Sequence, residues 1–332
     1  MLLIPIMLFV VGLVLLIKGG DWFVDGATGI AHRFKMSELL IGATVVSIGT
    51  TLPEVMVSAT SAFQGYGDIA YGNAIGSIIC NAALIAALTM AVRPSSVNRK
   101  LLVLPVVFFF GAVAIYISAV YFFGRFSRLI GVTLLLVFVT YTVVSILFAN
   151  RVTDEVPETP EVETDPSAID DPAKVRPLWA ELIFLAVGGA AIAFGADLLV
   201  DNGRIIAEAI GIPEAVVALI FVSLGTSLPE LVTAITALAK GHSALSLGNI
   251  IGANLLNLTL VTGVAATVQP FAPPVDNTVA GIPSSLVIDI PVMLLVMLIL
   301  VVPTMLRNKA SRVQGILLLS IYVAFCACSF IL

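Results

Sequence analysis

Long apolar runs follow one another along the chain, and short segments between them carry most of the polar and charged residues. Each run reaches about 20 residues, the length that an α-helix needs to cross a bilayer. The alternation of apolar and polar residues that is typical of a transmembrane β-barrel strand is absent. The pattern therefore predicts an all-α polytopic membrane protein with ten transmembrane helices, over residues 2–28, 37–63, 69–92, 101–122, 127–149, 179–207, 213–239, 245–268, 285–306 and 312–331.

The composition excludes most other classes of protein. Hydrophobic residues make up 59% of the 332 positions and charged residues 11%, whereas a soluble domain has about 25% charged residues. A soluble enzyme, a nucleic-acid-binding protein and a disordered scaffold are thereby excluded. The three cysteines have no framework spacing. We expect the lipid bilayer as the main partner, with no nucleic acid, no obligatory protein partner and no cofactor.

The basic residues predict the orientation in the membrane. If both termini are outside, the inside loops hold twelve Lys and Arg residues and the outside loops hold three, at Arg125, Arg128 and Arg204. Cytoplasmic loops carry an excess of Lys and Arg. The sequence therefore predicts a multi-pass protein of the cell (plasma or inner) membrane, with its N-terminus and C-terminus outside.

One polar segment divides the chain. Residues 151–176 hold eight acidic residues, three basic residues and four prolines, a composition that cannot bury a core. We interpret residues 150–178 as a solvated, acidic cytoplasmic linker. It would join a first five-helix domain, residues 1–149, to a second one, residues 179–332.

The two predicted domains share an internal repeat. SIGTTLPE at residues 47–54 returns as SLGTSLPE at 223–230, and GNAIGSIICN at 72–81 returns as GNIIGANLLN at 248–257. Both pairs are separated by the same spacing, and about a third of the positions between Gly19 and Pro94 match their counterparts at this repeat spacing. Five spans are an odd number, so the second repeat is inverted. Inverted repeats are typical of secondary transporters, whose ion sites lie near the bilayer midplane.

The repeated motif carries two carboxylates. Glu54 and Glu230 are the only acidic residues deep inside the apolar runs, where a charge costs at least about 2.5–3.5 kcal/mol. No Lys or Arg lies in the core of a neighbouring span. The compensating charge must come from solution, as a metal ion or a proton. The alternative is a pair of permanently protonated, hydrogen-bonded acids.

Prolines precede both glutamates, at Pro53 and Pro229. Because proline lacks an N–H and clashes with the preceding turn, we expect each helix to kink or unwind there. Thr50 and Glu54 are four residues apart and share a helix face, and the second copy repeats the spacing. Unwinding would turn freed carbonyl groups toward a cavity, at residues such as Ser47, Thr50, Ser223 and Thr226.

The GN-containing segments supply further oxygen ligands. Ser77 and Asn81 are four residues apart, and Asn257 is the second-repeat counterpart of Asn81. We predict that Asn81 and Asn257 ligate a cation, and we assign Asn73 and Asn249 to hydrogen bonds between helices. Carboxylate, hydroxyl, amide and carbonyl oxygens select hard cations such as Ca²⁺, Na⁺ and Mg²⁺.

These motifs resemble the two alpha-repeats of the sodium/calcium exchangers, in the calcium/cation antiporter superfamily, and the short linker resembles prokaryotic members. The resemblance implies that Glu54 and Glu230 hold Ca²⁺ and share the Na⁺ sites. It implies that the first and sixth helices are a mobile gating pair. The other implied ligands are Thr50, Thr51, Thr226 and Ser227 through hydroxyl groups, Ser47 and Ser223 through carbonyl groups, and Ser77 and Asn81 in two of the Na⁺ sites.

Two positions depart from the pattern of that family. Ala253 stands where the second repeat usually has the serine of the outer Na⁺ site, so the coupling of three Na⁺ to one Ca²⁺ does not transfer directly. Asn257 stands where some members have an aspartate associated with potassium dependence, and this points away from K⁺ coupling.

Four functions are compatible with these residues to different degrees. An empty site with two negative charges is costly to carry across a membrane, while a loaded one is near neutral, so ions must move in both directions. This favours antiport of Na⁺ against Ca²⁺. The alternative is a Ca²⁺/H⁺ antiporter, which Ala253 favours. A cation channel needs no such repeat, and no catalytic motif supports an intramembrane enzyme.

Overall fold

The computed structural model describes residues 2–34, 36–152, 176–209, 225–275, 278–279 and 281–331. Within them the chain forms ten helices of twelve residues or more and two antiparallel pairs of very short strands. The helices are α1 Leu3–Arg33, α2 Glu38–Phe63, α3 Gly67–Val92, α4 Arg99–Phe122, α5 Arg128–Val152, α6 Leu178–Ala209, α7 Leu228–Ala239, α8 Ser243–Val268, α9 Ser285–Arg307 and α10 Arg312–Ile331. The strands are β1 Ser95–Ser96, β2 Thr278–Val279, β3 Ile282–Pro283 and β4 Lys309–Ala310, of which β1 pairs with β4 and β2 with β3.

The helices agree with the predicted spans where the structure describes them. Among the described residues, nine helices are long and apolar enough to cross a membrane. The remaining helix, α7, has twelve described residues, and the first part of its predicted span, 213–239, lies outside the described residues. Most of the predicted linker, 150–178, lies outside them as well.

Two helices occupy the centre of the bundle. In the most apolar stretch of each helix, the buried share is 72% in α3 and 83% in α8, compared with 22% in α1 and 17% in α10. These central helices carry the two GN segments. Polar residues of these segments are therefore enclosed by protein and do not face lipid, as an intramembrane site requires.

The turns that lead into the central helices are alike. Gly65 joins α2 to α3 with φ +87°, and Gly241 joins α7 to α8 with φ +89°, a conformation that favours glycine. The helices before these turns end at Phe63 and Ala239, which are equivalent positions of the sequence repeat.

Helices α1 and α6 approach each other through glycines at every seventh position of α1. A Cβ atom at Gly12 would lie 2.8 Å from the carbonyl oxygen of Gly195, and one at Gly19 would lie 2.9 Å from that of Gly188. Gly26 continues the same stripe against α6. Small residues of this kind let two helix backbones come into direct contact.

We expected each helix to kink or unwind at its proline, and at Pro53 the helix does not unwind. The α-helical part of α2, Ser47–Phe63, continues through Pro53, and a π-helical segment, Gly42–Val46, lies immediately upstream of it. A π-helical turn absorbs an extra residue and re-aims the following turn without ending the helix. At Pro229 the expectation holds, because α7 begins at Leu228 and Pro229 lies in its first turn, where a missing N–H costs no helix bond.

Candidate cation site

Two carboxyl groups meet at the centre of the bundle. Glu54 on α2 and Glu230 on α7 are both 0% exposed, and the two groups lie close enough to interact directly. None of the ion pairs found among the described residues involves either glutamate. The described residues also contain no group of three or more His, Cys, Asp and Glu side chains suited to a metal ion. Neutral oxygen atoms must therefore complete any coordination shell here.

Hydroxyl groups of α2 reach across to the second half of the chain. The Thr51 hydroxyl donates to Oε1 of Glu230 over 3.4 Å. The neighbouring Thr50 hydroxyl donates to Oδ1 of Asn249 over 3.2 Å. These contacts hold the Thr50–Thr51 pair beside the carboxylate of α7.

The asparagine of the first GN segment supports the backbone next to Glu54. Nδ2 of Asn73 donates to the carbonyl oxygen of Glu54 over 3.1 Å and to Oγ of Ser58 over 2.8 Å. This is an interhelical hydrogen bond of the kind expected for Asn73, and it fixes α2 against α3.

Many of the buried polar atoms without a hydrogen-bond partner belong to the predicted ligands. In the described part of the chain, fourteen such side-chain atoms occur, and eight belong to five of the predicted ligands. A buried polar atom without a partner costs about 1–3 kcal/mol, so the share that falls on predicted ligands needs an explanation. The five residues are Glu54, Glu230, Asn81, Asn257 and Ser227.

The two asparagines predicted as ligands mark a change of helix type. The π-helical segment of α3 begins at Asn81, and that of α8 begins at Asn257. Both side chains are 0% exposed. Single π-helical turns inside α-helices are frequent at functional sites, because they widen the helix and re-orient a side chain.

The remaining predicted ligands are placed as follows. Most are almost fully buried, with exposed fractions of 0% for Ser47 and Thr51, 3% for Thr50, 4% for Ser77 and 1% for Ser227. Thr226 is half-buried in the turn that precedes α7. Ser223 lies outside the described residues. The carbonyl group of Ser47 accepts a 3.4 Å hydrogen bond from the Thr50 hydroxyl.

Ion pairs connect α1 to the turn between α7 and α8. Nζ of Lys240 lies 2.6 Å from Oδ1 of Asp25 and 3.5 Å from Oδ1 of Asp21, and it donates to the carbonyl oxygen of Asp21 over 3.0 Å. Two residues further on, Nδ1 of His242 lies 2.6 Å from Oε1 of Glu38 at the start of α2. One short turn thus contacts both the second half of α1 and the start of α2.

Sequence reasoning missed two of these features. The role of Lys240 could have been found from the repeat, because the equivalent position of the first repeat is Gln64 and the repeat therefore changes charge there. The contact of Asn249 with Thr50 depends on the rotation of α8 against α2, which the sequence does not specify.

A bundle of apolar helices with two buried carboxyl groups at its centre agrees with the predicted class, a polytopic membrane transporter. The sequence matches the family described as "Sodium/calcium exchanger protein" over residues 4–147 and 180–331. The chain belongs to this family. It is therefore a multi-pass membrane protein that works as a cation antiporter, and it is not an enzyme.

Relatives and a solved structure extend over nearly the whole chain. The sodium/calcium exchanger MaX1 of Methanosarcina acetivorans is 31% identical, with 98% of each chain covered. The putative antiporter CaxA of Alkalimonas amylolytica is 32% identical, again with 98% of each chain covered. A structure of the sodium-calcium exchanger NCX_Mj, soaked with 10 mM Na⁺ and zero Ca²⁺, aligns with a TM-score of 0.80 and 30% identity, covering 98% of this chain and 99% of that one.

Proposed function

We propose that the protein exchanges Na⁺ for Ca²⁺ by alternating access at a midplane site built from Glu54 and Glu230. The observation that carries this proposal is the pair of fully buried carboxyl groups with no protein cation beside them among the described residues. Two carboxylates can be neutralised by one Ca²⁺ or by two Na⁺, so either load leaves the centre of the bundle near neutral. Relatives named as sodium/calcium exchangers support this choice of ions.

Neutral oxygens around the glutamates complete the proposed coordination. Ca²⁺ takes six to eight oxygen ligands, and Na⁺ is likewise a hard cation that prefers oxygen. The hydroxyl groups of Thr50 and Thr51 are already positioned beside Glu230. The proposed remaining ligands are Thr226, Ser227, Ser77, Asn81 and Asn257 through side chains, and Ser47 and Ser223 through carbonyl groups.

Antiport follows from the charge of the site. With no ion bound, two carboxylates would repel each other in a medium of low dielectric constant, and moving them past the midplane would be costly. Only a site with ions bound switches readily from one side of the membrane to the other. This requirement couples the two ion flows. We propose that α1 and α6 move together to expose the site to one side and then the other, since these helices contact each other through backbone.

The proposed architecture is two inverted five-helix repeats, residues 1–149 and 179–332, joined by the acidic linker 150–178. The recurrence of helix ends and π-helical segments at equivalent positions of the two repeats supports the duplication. The excess of basic residues in alternate loops supports termini on the outer face of the cell (plasma or inner) membrane.

A Ca²⁺/H⁺ antiporter is the second candidate, and one observation favours it. Ala253 is 0% exposed and offers no side-chain oxygen in the GN segment of α8. A missing oxygen ligand weakens a Na⁺ site, whereas protonation of a glutamate needs no coordination shell.

The test is ⁴⁵Ca²⁺ uptake by the purified protein in liposomes, with a Na⁺ gradient and a pH gradient imposed separately. We expect uptake to follow an outward Na⁺ gradient at constant pH. Uptake that follows only the pH gradient would replace this proposal by the Ca²⁺/H⁺ candidate. Current carried by Ca²⁺ without any counter-ion would indicate a channel.

Substitutions identify the site in the same assay. Glu54→Gln and Glu230→Gln should each reduce exchange below detection, because one carboxylate cannot neutralise Ca²⁺. Glu38→Gln is the matched control, since Glu38 lies on the same helix as Glu54 but pairs with His242. Exchange that survives in both site variants would mean that the ions bind elsewhere.

A further inference from the structure

We propose that Asn249 is a positioning residue of the cation site: it accepts a hydrogen bond from the Thr50 hydroxyl, so that the lone pairs of this hydroxyl face the ion. The inference rests on the proposed function, because it assumes that Thr50 ligates a cation. It adds a residue whose GN motif alone indicates only helix packing. The observation is the 3.2 Å hydrogen bond from Thr50 Oγ1 to Asn249 Oδ1.

A hydroxyl group that ligates a cation must point its hydrogen away from the ion. The hydroxyl oxygen has two lone pairs and one hydrogen, and only the lone pairs attract a positive ion. If the hydrogen pointed at the ion, the contact would be repulsive. A good hydroxyl ligand therefore needs an acceptor on the side away from the ion.

Thr50 has three acceptors within reach, and two of them are themselves proposed ligands. The carbonyl oxygen of Ser47 is 3.4 Å away, and the carboxylate of Glu230 lies near the same hydroxyl. Both oxygens would be engaged by a bound cation. Asn249 Oδ1 is the acceptor that stays available when the site is loaded.

The two GN asparagines have different partners, although they are equivalent in the repeat. Asn73 uses Nδ2 as a donor to the carbonyl group of Glu54 and to Ser58. At the position equivalent to Ser58 the chain has Ala234. Asn249 thus lacks that acceptor, its Nδ2 has no partner among the described residues, and its hydrogen bond to a site residue is made through Oδ1.

Close backbone packing holds Asn249 in place. A Cβ atom at Gly42 of α2 would lie 2.9 Å from the backbone nitrogen of Asn249, so α2 and α8 are in direct contact there. Asn249 is 0% exposed and Thr50 is 3% exposed, so in this conformation bulk water does not reach the hydrogen bond between them. The orientation of the hydroxyl is therefore set by the protein.

A double-mutant cycle in liposomes tests the inference, with ⁴⁵Ca²⁺ exchange as the readout. Asn249→Ala should raise the half-saturating Ca²⁺ concentration about 2- to 10-fold, the range expected for one hydrogen bond. In a Thr50→Val background the same substitution should change it less than twofold, because the hydroxyl is gone. Thr259→Val is the matched control, since Thr259 is buried on the same helix but bonds only to Leu255 of that helix.

The outcomes separate this inference from the proposed function. Equal effects of Asn249→Ala in both backgrounds would overturn the positioning role and leave the site intact. If Thr50→Val itself changes neither the Ca²⁺ nor the Na⁺ dependence, Thr50 is no ligand, and both the inference and that part of the site fail. Should Asn249→Ala not fold, Asn249→Leu keeps the branching at Cγ without an acceptor and gives the same comparison. A loss of thermal stability without a change in half-saturation would mean that Asn249 only packs α8.

Discussion

The ion pairs of Lys240 lead to a prediction about the movement of α1. Lys240 contacts Asp21 and Asp25 of α1 from the turn between α7 and α8. If α1 slides against the rest of the bundle, these contacts must break in each cycle. Replacing Lys240 with Gln, the residue found at the equivalent position of the first repeat, removes the charge and keeps a polar side chain.

The size of the effect follows from the exposure of the pairs. The Lys240 side chain is 27% exposed and the two aspartates are 38% exposed, so solvent screens the attraction and the values for surface pairs apply. Such pairs contribute about 0.2–1 kcal/mol each. For two carboxylates we expect a total of about 1 kcal/mol, which corresponds to a roughly fivefold change in an equilibrium between two conformations.

One spin label on α1 and one on α5 measure that equilibrium, because the distance between the labels differs between the two conformations. Val14 and Val143 are suitable positions, because they are 54% and 51% exposed. The three native cysteines are replaced first, so that only these positions carry labels. Lys240→Gln should shift the populations about fivefold away from the conformation described here. Salt near 1 M should reduce the difference between the variant and the parent protein, because the screening length falls to about 3 Å.

Lys240→Arg is the control that keeps the charge, and it should leave the populations unchanged. An unchanged distance distribution in Lys240→Gln, together with a lower melting temperature, would refute the reasoning. The ion pairs would then stabilise the fold without controlling the position of α1.

Three further predictions concern the site and the packing around it. Ala253→Ser should lower the half-saturating Na⁺ concentration of exchange, because it adds an oxygen ligand; an unchanged Na⁺ dependence would remove the argument for a weakened site. Asn257 predicts that replacing K⁺ by choline on both sides leaves Ca²⁺ exchange unaltered, and a requirement for K⁺ would contradict this. Gly248→Ala should destabilise the protein by about 1–3 kcal/mol, seen as a lower melting temperature, since its Cβ would collide with the carbonyl group of Leu39. Gly111→Ala is its control, because a Cβ there would meet no described atom within 4 Å other than the neighbouring backbone of its own helix, and equal losses in both variants would argue against the collision.

Much of the fold could be predicted because lipid allows few solutions. An apolar run in a bilayer must satisfy its backbone internally, so the spans could be predicted from the sequence, and the helices match them closely where the structure describes them. The duplication likewise indicated that Glu54 and Glu230 are equivalent. Their meeting at the centre, with both side chains fully buried, is the geometric counterpart of that equivalence.

The details of the site depend on rotations that the sequence does not encode. Pro53 and Pro229 are equivalent in the repeat, yet one lies inside a helix and the other in a first turn. A local rule about proline gives the same prediction for both positions. Whether the helix continues through the proline depends on the surrounding turns. In the same way, Asn73 and Asn249 have equal motifs but unequal neighbours, because Ser58 and Ala234 differ.

The glycine contacts between α1 and α6 have a mechanical consequence. Where backbone touches backbone, few side-chain atoms lie between the two helices to take up a relative displacement, and we expect the pair to move together. A push on either helix is transmitted to the other along the whole stripe. A reporter group attached to α6 should therefore register the same excursion, at the same moment, as one attached to α1.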